Sequence, residues 1–115
     1  MTLGEIIKEL SKARPDQNVY YDFADMAPKL ELNSYRGDYS ETYLGYQEDP
    51  ITVGELLTYL ESRVGETMCG YKGGEYTIRE DKDVWVANDS RSYTRCLIEK
   101  IGHYSSVIIR TKYDA

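Results

Sequence analysis

The fold of this chain is decided by residues 2–10, TLGEIIKEL, whose pattern returns at residues 52–60 as TVGELLTYL. Each copy opens with a capping box, in which the Thr hydroxyl accepts from the backbone N–H three residues on and the Glu at that position reaches back. Apolar residues then recur at the i, i+3, i+4, i+7 spacing of a one-sided helix. With Pro15 and Gly65 as stop signals, the sequence predicts helices over 3–13 and 53–64, and the repeat hints at a duplicated helix-strand unit.

Strand patterning fills most of the remaining chain. Val19, Tyr21 and Phe23 follow the two-residue period of a half-buried strand. Residues 24–50 are predicted to be a long irregular stretch with one short strand at about 41–46. Further strands are predicted at 67–71, 75–78, 84–87, 94–100 and 106–112, the last two joined by a turn over 101–105. The apolar run at 107–109 suits a central strand. These elements predict an α+β fold with two helices packed on one face of a mostly antiparallel sheet.

Length and composition limit the classes of protein to which the chain can belong. Its 115 residues suffice for one domain, 1–115, and 41% hydrophobic with 30% charged residues is typical of a folded protein. No apolar run approaches the ~20 residues of a membrane span, and the N-terminus lacks the basic and hydrophobic regions of a signal peptide. We therefore expect a cytoplasmic protein without a membrane partner.

Negative charge is concentrated in one segment. Residues 16–49 hold eight acidic residues against Lys29 and Arg36, and the resulting −6 equals the net charge of the whole chain. Because a general nucleic-acid surface needs a basic stripe, direct binding of nucleic acid is not expected. The same segment is rich in tyrosine, so it predicts a surface for a basic partner protein. The candidate partner-binding residues are Asp38, Tyr39, Glu41, Tyr43 and Tyr46.

Two short loops, at 34–37 and 70–74, set a tyrosine and a cation beside glycine. Glycine permits close backbone approach, backbone N–H groups can surround an anion, and the Arg or Lys adds charge. The pattern therefore points to an anionic ligand, although it is also that of an ordinary turn. The candidate ligand-binding residues are Tyr35, Arg36, Tyr71, Lys72, Trp85, Asn88 and Arg91.

Trp85 has the opposite parity to Val84 and Val86. If the two valines face the core, the indole faces the other side of the strand. There it is a candidate stacking platform or interface anchor. If that second face is covered, Trp85 is a core residue instead.

The sequence offers little for catalysis. His103, the single histidine, lies in the predicted hairpin turn without a nucleophile beside it, and the carboxylates form no acid-base pair readable from their spacing. Cys69 and Cys96 are expected to be free thiols, because two cysteines without neighbouring ligands make no zinc site. We therefore expect a protein that is not an enzyme and that holds no metal or cofactor.

Several motifs follow one another in fixed order between Thr2 and about Asn88. They include SYRGDY at 34–39, LGY at 44–46, TVGELL at 52–57, GYKGGEYT at 70–77 and WVAN at 85–88. In this combination the chain resembles a family of small tailed-bacteriophage proteins. Residues 22–26 depart from the pattern, where a glycine-containing turn is expected. The resemblance implies a phage origin and no established activity.

A phage origin favours a non-catalytic binder that blocks or sequesters a host defence or regulatory factor in the host cytoplasm. One mechanism is capture of a small anionic signalling nucleotide, expected at a subunit interface of a homo-oligomer. A second is an acidic mimic of nucleic acid, in which segment 16–49 binds a basic host protein. A third class is a minor phage structural or assembly protein.

Overall fold

Two helices begin where the repeated Thr-x-Gly-Glu pattern predicts. The computed structural model describes residues 1–23, 25–33, 42–69, 74–86 and 96–113, and it places α1 at Leu3–Leu10 and α2 at Val53–Arg63. Both capping boxes are formed, by Thr2 with Glu5 and by Thr52 with Glu55. Helix α1 ends before the predicted residue 13, because the Ser11 hydroxyl donates to the Lys8 carbonyl at 2.6 Å and the chain leaves the helix in tight turns.

Nine strands are present in the described ranges, and seven of them form one sheet in the order β2-β3-β7-β8-β9-β1-β4. The strands are β1 (Asn18–Tyr21), β2 (Ala27–Asn33), β3 (Thr42–Gln47), β4 (Ile51–Thr52), β5 (Thr67–Cys69), β6 (Glu75–Thr77), β7 (Val84–Val86), β8 (Cys96–His103) and β9 (Val107–Tyr113). Strands β5 and β6 pair as a separate hairpin. The pairings β1·β9 and β3·β7 are parallel and the other four in the large sheet are antiparallel, which confirms the predicted mostly antiparallel α+β class.

Two strand predictions were wrong. Strand β2 lies inside the stretch predicted to be irregular, and its Pro28 is accommodated because β2 is at one end of the strand order. Its burial does not alternate regularly, since the pairing with β3 is interrupted by a bulge between Lys29 and Leu32. The turn predicted over 101–105 begins later, because β8 continues to His103.

The large sheet curls so that its two ends approach each other. The backbone N–H of Tyr21, at the end of β1, donates to the Met26 carbonyl at 2.8 Å. The Tyr21 hydroxyl donates to the Gly45 carbonyl of β3 at 2.9 Å. Both helices fill the inner face of this curled sheet, and their apolar sides share one core with the inward residues of the strands. That core includes Leu3, Ile6, Leu10, Val53, Leu56, Leu60, Val19, Leu44, Val84, Val86 and Ile109.

The start of α1 is held by the loop before β7. Thr2 forms an antiparallel bridge with Asp83. The next two backbone N–H groups, of Leu3 and Gly4, donate to the carbonyls of Lys82 and Glu80, each at 2.9 Å. A Cβ at Gly4 would meet Glu80 atoms at 3.3 Å, so a larger residue would require this loop to shift by a few tenths of an ångström.

The start of α2 is held in the same way by the loop before β1. Thr52 is the antiparallel partner of Asn18. The N–H groups of Val53 and Gly54 donate to the carbonyls of Gln17 and Pro15 at 2.8 and 3.0 Å. A side chain at Gly54 would meet the Pro15 Cβ at 3.2 Å. The sequence repeat therefore encodes one docking arrangement used twice, with each helix start bound to the loop that precedes a strand of the other half.

Apart from the two-residue strand β4 directly before α2, the two halves of the chain also repeat an order of elements, α1-β1-β2-β3 and α2-β7-β8-β9, with the β5–β6 hairpin inserted after α2. In each half the first strand pairs in parallel with the last strand of the other half, β1 with β9 and β7 with β3. The registers of these two parallel pairs also correspond. The middle residue of each three-residue pairing is Tyr20 opposite Ile108 in β1·β9 and Trp85 opposite Tyr43 in β7·β3. The chain thus folds as an internal repeat with exchanged strands.

Candidate anion-binding face

Most residues of the sequence-predicted ligand site lie outside the part of the chain that the structure describes. These are Tyr35, Arg36, Tyr71, Lys72, Asn88 and Arg91, as well as Asp38, Tyr39 and Glu41 of the predicted partner surface. Strand β2 precedes the first tyrosine-cation loop and strand β6 follows the second. These two strands are in contact, because the Tyr76 hydroxyl of β6 lies 3.5 Å from the Leu32 carbonyl of β2. The loops do not hold corresponding places in the repeat. The connection after β2 corresponds to the turn between β8 and β9, whereas the β5–β6 hairpin has no counterpart in the described first half.

Trp85 lies on the outer face of the sheet, opposite the helices. Its neighbours Val84 and Val86 are buried while Trp85 is half-buried, as its parity predicts. Trp85 lies between Tyr43 of β3 and Leu97 of β8, which are its direct cross-strand partners. These three residues are half-buried, and we call them the Trp85 row. They give the outer face a largely apolar strip, in which the Trp85 indole offers a surface on which an aromatic ring can stack.

Three exposed cations continue this strip on β8 and β9. Lys112 is the cross-strand partner of Leu97, and Lys100 is the partner of Arg110. We call Lys100, Arg110 and Lys112 the cation cluster. Strand spacing places the Lys112 Cα about 10 Å from that of Trp85, two strands away, and about 7 Å from that of Arg110. The cluster and the Trp85 row therefore form one continuous surface.

Within the described ranges the cation cluster has no ion-pair partner, although the protein as a whole is acidic. Five of the ten Lys and Arg residues in the described ranges form ion pairs: Lys12, Arg14, Lys29, Arg63 and Arg79. Of the other five, three make up the cluster, and none of these three has a salt bridge to any residue that the structure describes. Glu99, the bulge residue beside Lys100, forms no ion pair with them either. Among the described residues, no carboxylate therefore forms a salt bridge with these three cations.

Tyr104 borders the cluster. Its ring covers Gly102, since a side chain there would lie 2.6 Å from the Tyr104 Cε2. Arg110 donates to the Tyr104 hydroxyl at 3.4 Å, and Tyr104 remains 59% exposed. The guanidinium therefore has one weak contact and four further N–H donors for a ligand.

Several acidic residues of segment 16–49 have local partners within its described part. Asp16 pairs with Arg14 at 3.6 Å and Glu31 pairs with Lys29 at 3.5 Å. Asp22 accepts from the backbone N–H and the hydroxyl of Thr111 at 2.9 and 2.7 Å, so it joins the end of β1 to β9. Half of the six described acids of this segment are therefore engaged locally.

The two described tyrosines of the predicted partner surface point in opposite directions. Tyr43 lies on the outer face in the Trp85 row. Tyr46, three residues along the same strand, packs against the core, with its ring edge-on to Phe23 at 6.3 Å. A single flat partner surface therefore does not contain both.

His103 and the cysteines lie apart from the Trp85 row and the cation cluster. The His103 Nε2 lies 3.4 Å from a Glu9 carboxylate oxygen. Two hydrogen bonds lower the pKa of Glu9, the larger effect coming from Lys12 and the smaller from His103.

Cys69 and Cys96 are free thiols, as predicted. Burial raises the pKa of Cys96, and the charge of Asp22 adds to the rise while a hydrogen bond with Thr111 opposes it. Within the described ranges, His, Cys, Asp and Glu form no cluster able to hold a metal ion.

Comparison with protein-family models, with curated proteins and with solved structures found no match to this chain. Neither described helix is long and apolar enough to cross a membrane.

Sequence reasoning missed the cation cluster. The sequence contained the signal, because Ile108, Arg110 and Lys112 alternate along β9 with the buried Ile109 and the half-buried Thr111 and so share the outer face of the strand. It went unrecognised because Lys100 joins them only through the pairing of β8 with β9. Net charge summed along the chain cannot show a cluster that forms across strands.

Proposed function

We propose that this protein is a non-catalytic binder of an anionic ligand, and that the ligand is a nucleotide held on the outer face of the sheet. The observation that carries the proposal is the cation cluster directly beside the Trp85 row, whose three members form no salt bridge with any described residue. A nucleotide joins an aromatic base to phosphate, and these two parts match an apolar stacking strip next to three cations.

The proposal also gives a biological setting to the resemblance to tailed-phage proteins. A phage protein that captures a signalling nucleotide removes that signal from the host. We therefore propose that the protein acts in the host cell by sequestering such a nucleotide and blocking a defence or regulatory response. Sequestration requires binding alone, so no catalytic group is needed.

Trp85 provides the test, because it is the only tryptophan in the chain. A panel of nucleotides is titrated against the intact protein while indole fluorescence is recorded at the red edge of its absorption, with free tryptophan correcting for light absorbed by the bases. We expect saturable quenching by at least one nucleotide. Absence of both quenching and calorimetric heat across the panel would contradict the proposal.

A matched pair of variants locates the site. Lys100→Gln combined with Arg110→Gln removes two cluster cations, and each lost charge-assisted hydrogen bond costs about 1.5–3 kcal/mol, so affinity is expected to fall at least tenfold. Lys8→Gln combined with Lys82→Gln removes the two unpaired described cations outside the cluster and serves as the control. Equal losses in both variants would show a general charge effect instead of a site.

A further inference from the structure

The internal repeat supplies a second surface against which the cation cluster can be compared. Strand β3 pairs in parallel with β7, and strand β9 pairs in parallel with β1, so β3 and β9 hold corresponding places in the two halves. Tyr43 of β3 lies opposite Trp85. Ile108 of β9 lies opposite Tyr20, so Tyr43 corresponds to Ile108. Counting along the strands, Gly45 corresponds to Arg110. The cross-strand partner of Gly45 is Lys29, just as the partner of Arg110 is Lys100.

The corresponding surface of the first half carries no free cation cluster. Lys29 is paired with Glu31 at 3.5 Å, and Gly45 has no side chain. Gln47, which corresponds to Lys112, is uncharged and donates to the Asp49 carbonyl at 2.9 Å. The same strand framework therefore forms without these charges, so the cluster is not needed to build the sheet.

The cluster also carries an energetic cost. Like charges directly opposite each other on neighbouring strands are destabilising, and Lys100 and Arg110 hold that relationship. A bound anion of sufficient charge would remove this repulsion. The cation cluster destabilises the free protein and has no counterpart on the corresponding surface of the first half. Binding of a ligand best explains why the second half carries it.

We infer that the cation cluster holds a chain of two or more linked phosphates while the base stacks on Trp85, so that the ligand class is a nucleoside di- or triphosphate, bound once per chain. This inference rests on the proposed function and narrows its ligand. A single phosphate carries a charge of about −1.5 to −2, which leaves part of three adjacent cations unneutralised.

The spacing within the cluster favours linked phosphates over a nucleic-acid strand. Lys100 and Arg110 are side by side, and Lys112 follows about 7 Å away along the same face. A polynucleotide carries one phosphate per nucleotide with a sugar between successive phosphates, so it would place fewer charges over so short a distance. Leu97 lies between Trp85 and Lys112, where the sugar would rest.

The test compares a nucleoside with its mono-, di- and triphosphates, all carrying the base that quenches best in the panel. Affinity is measured by indole fluorescence and by calorimetry on the intact protein. We expect at least a tenfold gain in affinity from the monophosphate to the diphosphate, a stoichiometry of one, and competition by inorganic pyrophosphate. Affinity should fall steeply as salt is raised.

The outcomes separate this inference from the proposed function. A monophosphate that binds as tightly as the di- and triphosphates would overturn the inference and leave nucleotide binding intact. An oligonucleotide of the same base that binds more tightly than the triphosphate would overturn it in favour of single-stranded nucleic acid. No binding by any compound would overturn both.

One variant tests whether the dependence of affinity on the number of phosphates comes from the cation cluster. Lys112→Gln introduces the side chain already present at the corresponding position 47, so the fold is expected to tolerate it. We expect this variant to lose affinity for the triphosphate at least fivefold and to lose little for the nucleoside. An equal loss for both ligands would contradict contact between Lys112 and the phosphates, and an unchanged melting temperature confirms that the variant is folded.

Discussion

Lys100 and Arg110 face each other directly across β8 and β9, two cations on the outer face of a protein whose net charge is −6. Neither forms a salt bridge within the described part of the chain. Lys112, two residues from Arg110 on the same face, connects this pair to the row that contains Trp85, the only tryptophan of the sequence. Because like charges directly opposite each other on neighbouring strands are destabilising, this relationship lowers the stability of the free sheet.

Removing one member of this pair should stabilise the free protein. Lys100→Gln ends the repulsion with Arg110, and we expect the free energy of unfolding to rise by about 0.2–1 kcal/mol at low salt. Urea denaturation measures the change, and added salt should shrink it. Lys112→Gln is the control, because Lys112 faces Leu97 and no like charge. A less stable Lys100→Gln protein would mean that the lysine makes a stabilising contact.

Adding a methyl group at Gly54 should destabilise the fold. The new Cβ would lie 3.2 Å from the Pro15 Cβ and 3.3 Å from the Pro15 carbonyl oxygen, so the docked loop must move. We expect Gly54→Ala to cost about 1 kcal/mol despite the better helix propensity of alanine, as measured by thermal or urea unfolding. Thr58→Ala, at an exposed position of the same helix, should be neutral or stabilising. A stabilised Gly54→Ala protein would show that the loop yields freely.

Loss of the Tyr21 hydroxyl should weaken the closure of the sheet. This hydroxyl is buried and donates to the Gly45 carbonyl at 2.9 Å. Tyr21→Phe leaves that carbonyl without its donor, and we expect unfolding to become easier by about 1–2 kcal/mol. The exposed Tyr104→Phe is the control. Equal stability of the Tyr21→Phe and wild-type proteins would mean that water replaces the lost donor at no cost.

Acid should weaken the first capping box. The backbone N–H and side chain of Thr2 hold the pKa of Glu5 below its ordinary 4.5. A carboxyl whose pKa is lowered by folding contributes stability above its unfolded pKa and loses it as pH falls through the folded pKa. Wild-type stability should therefore drop below about pH 4.5, and Glu5→Gln should flatten that part of the pH profile.

The control for this pH dependence is Glu61→Gln, because Glu61 is an exposed glutamate that makes no hydrogen bond in the described part of the chain. The stability of the Glu61→Gln protein should depend on pH as that of the wild type does. A Glu5→Gln profile as steep as the wild-type one would assign the acid sensitivity to other carboxylates.

The parts of the fold that follow from local chemistry were predictable. The capping boxes and the apolar stripes of both helices depend on residues within one or two turns, and the structure contains both. The alternation around Trp85 correctly separated it from Val84 and Val86. Strand β2 was missed because Pro28 and a bulge hide its period.

What depends on pairing between distant residues could not be predicted. The cation cluster exists only because β8 lies beside β9 in a particular register. The exchange of β1 and β7 between halves has no local signature, although the repeated Thr-x-Gly-Glu pattern hinted at the duplication behind it. The proposed ligand residues at 35–36, 71–72, 88 and 91 stay predictions, since they lie outside the described ranges.

The exchanged strands also constrain how the chain is made. During synthesis, β3 of the first half has no parallel partner until β7, some forty residues later, has left the ribosome. Strand β1 waits longer still, because its parallel partner β9 is the last strand that the structure describes. We therefore expect apolar side chains of the first half to stay exposed, and folding to be delayed, until the second half has been synthesised.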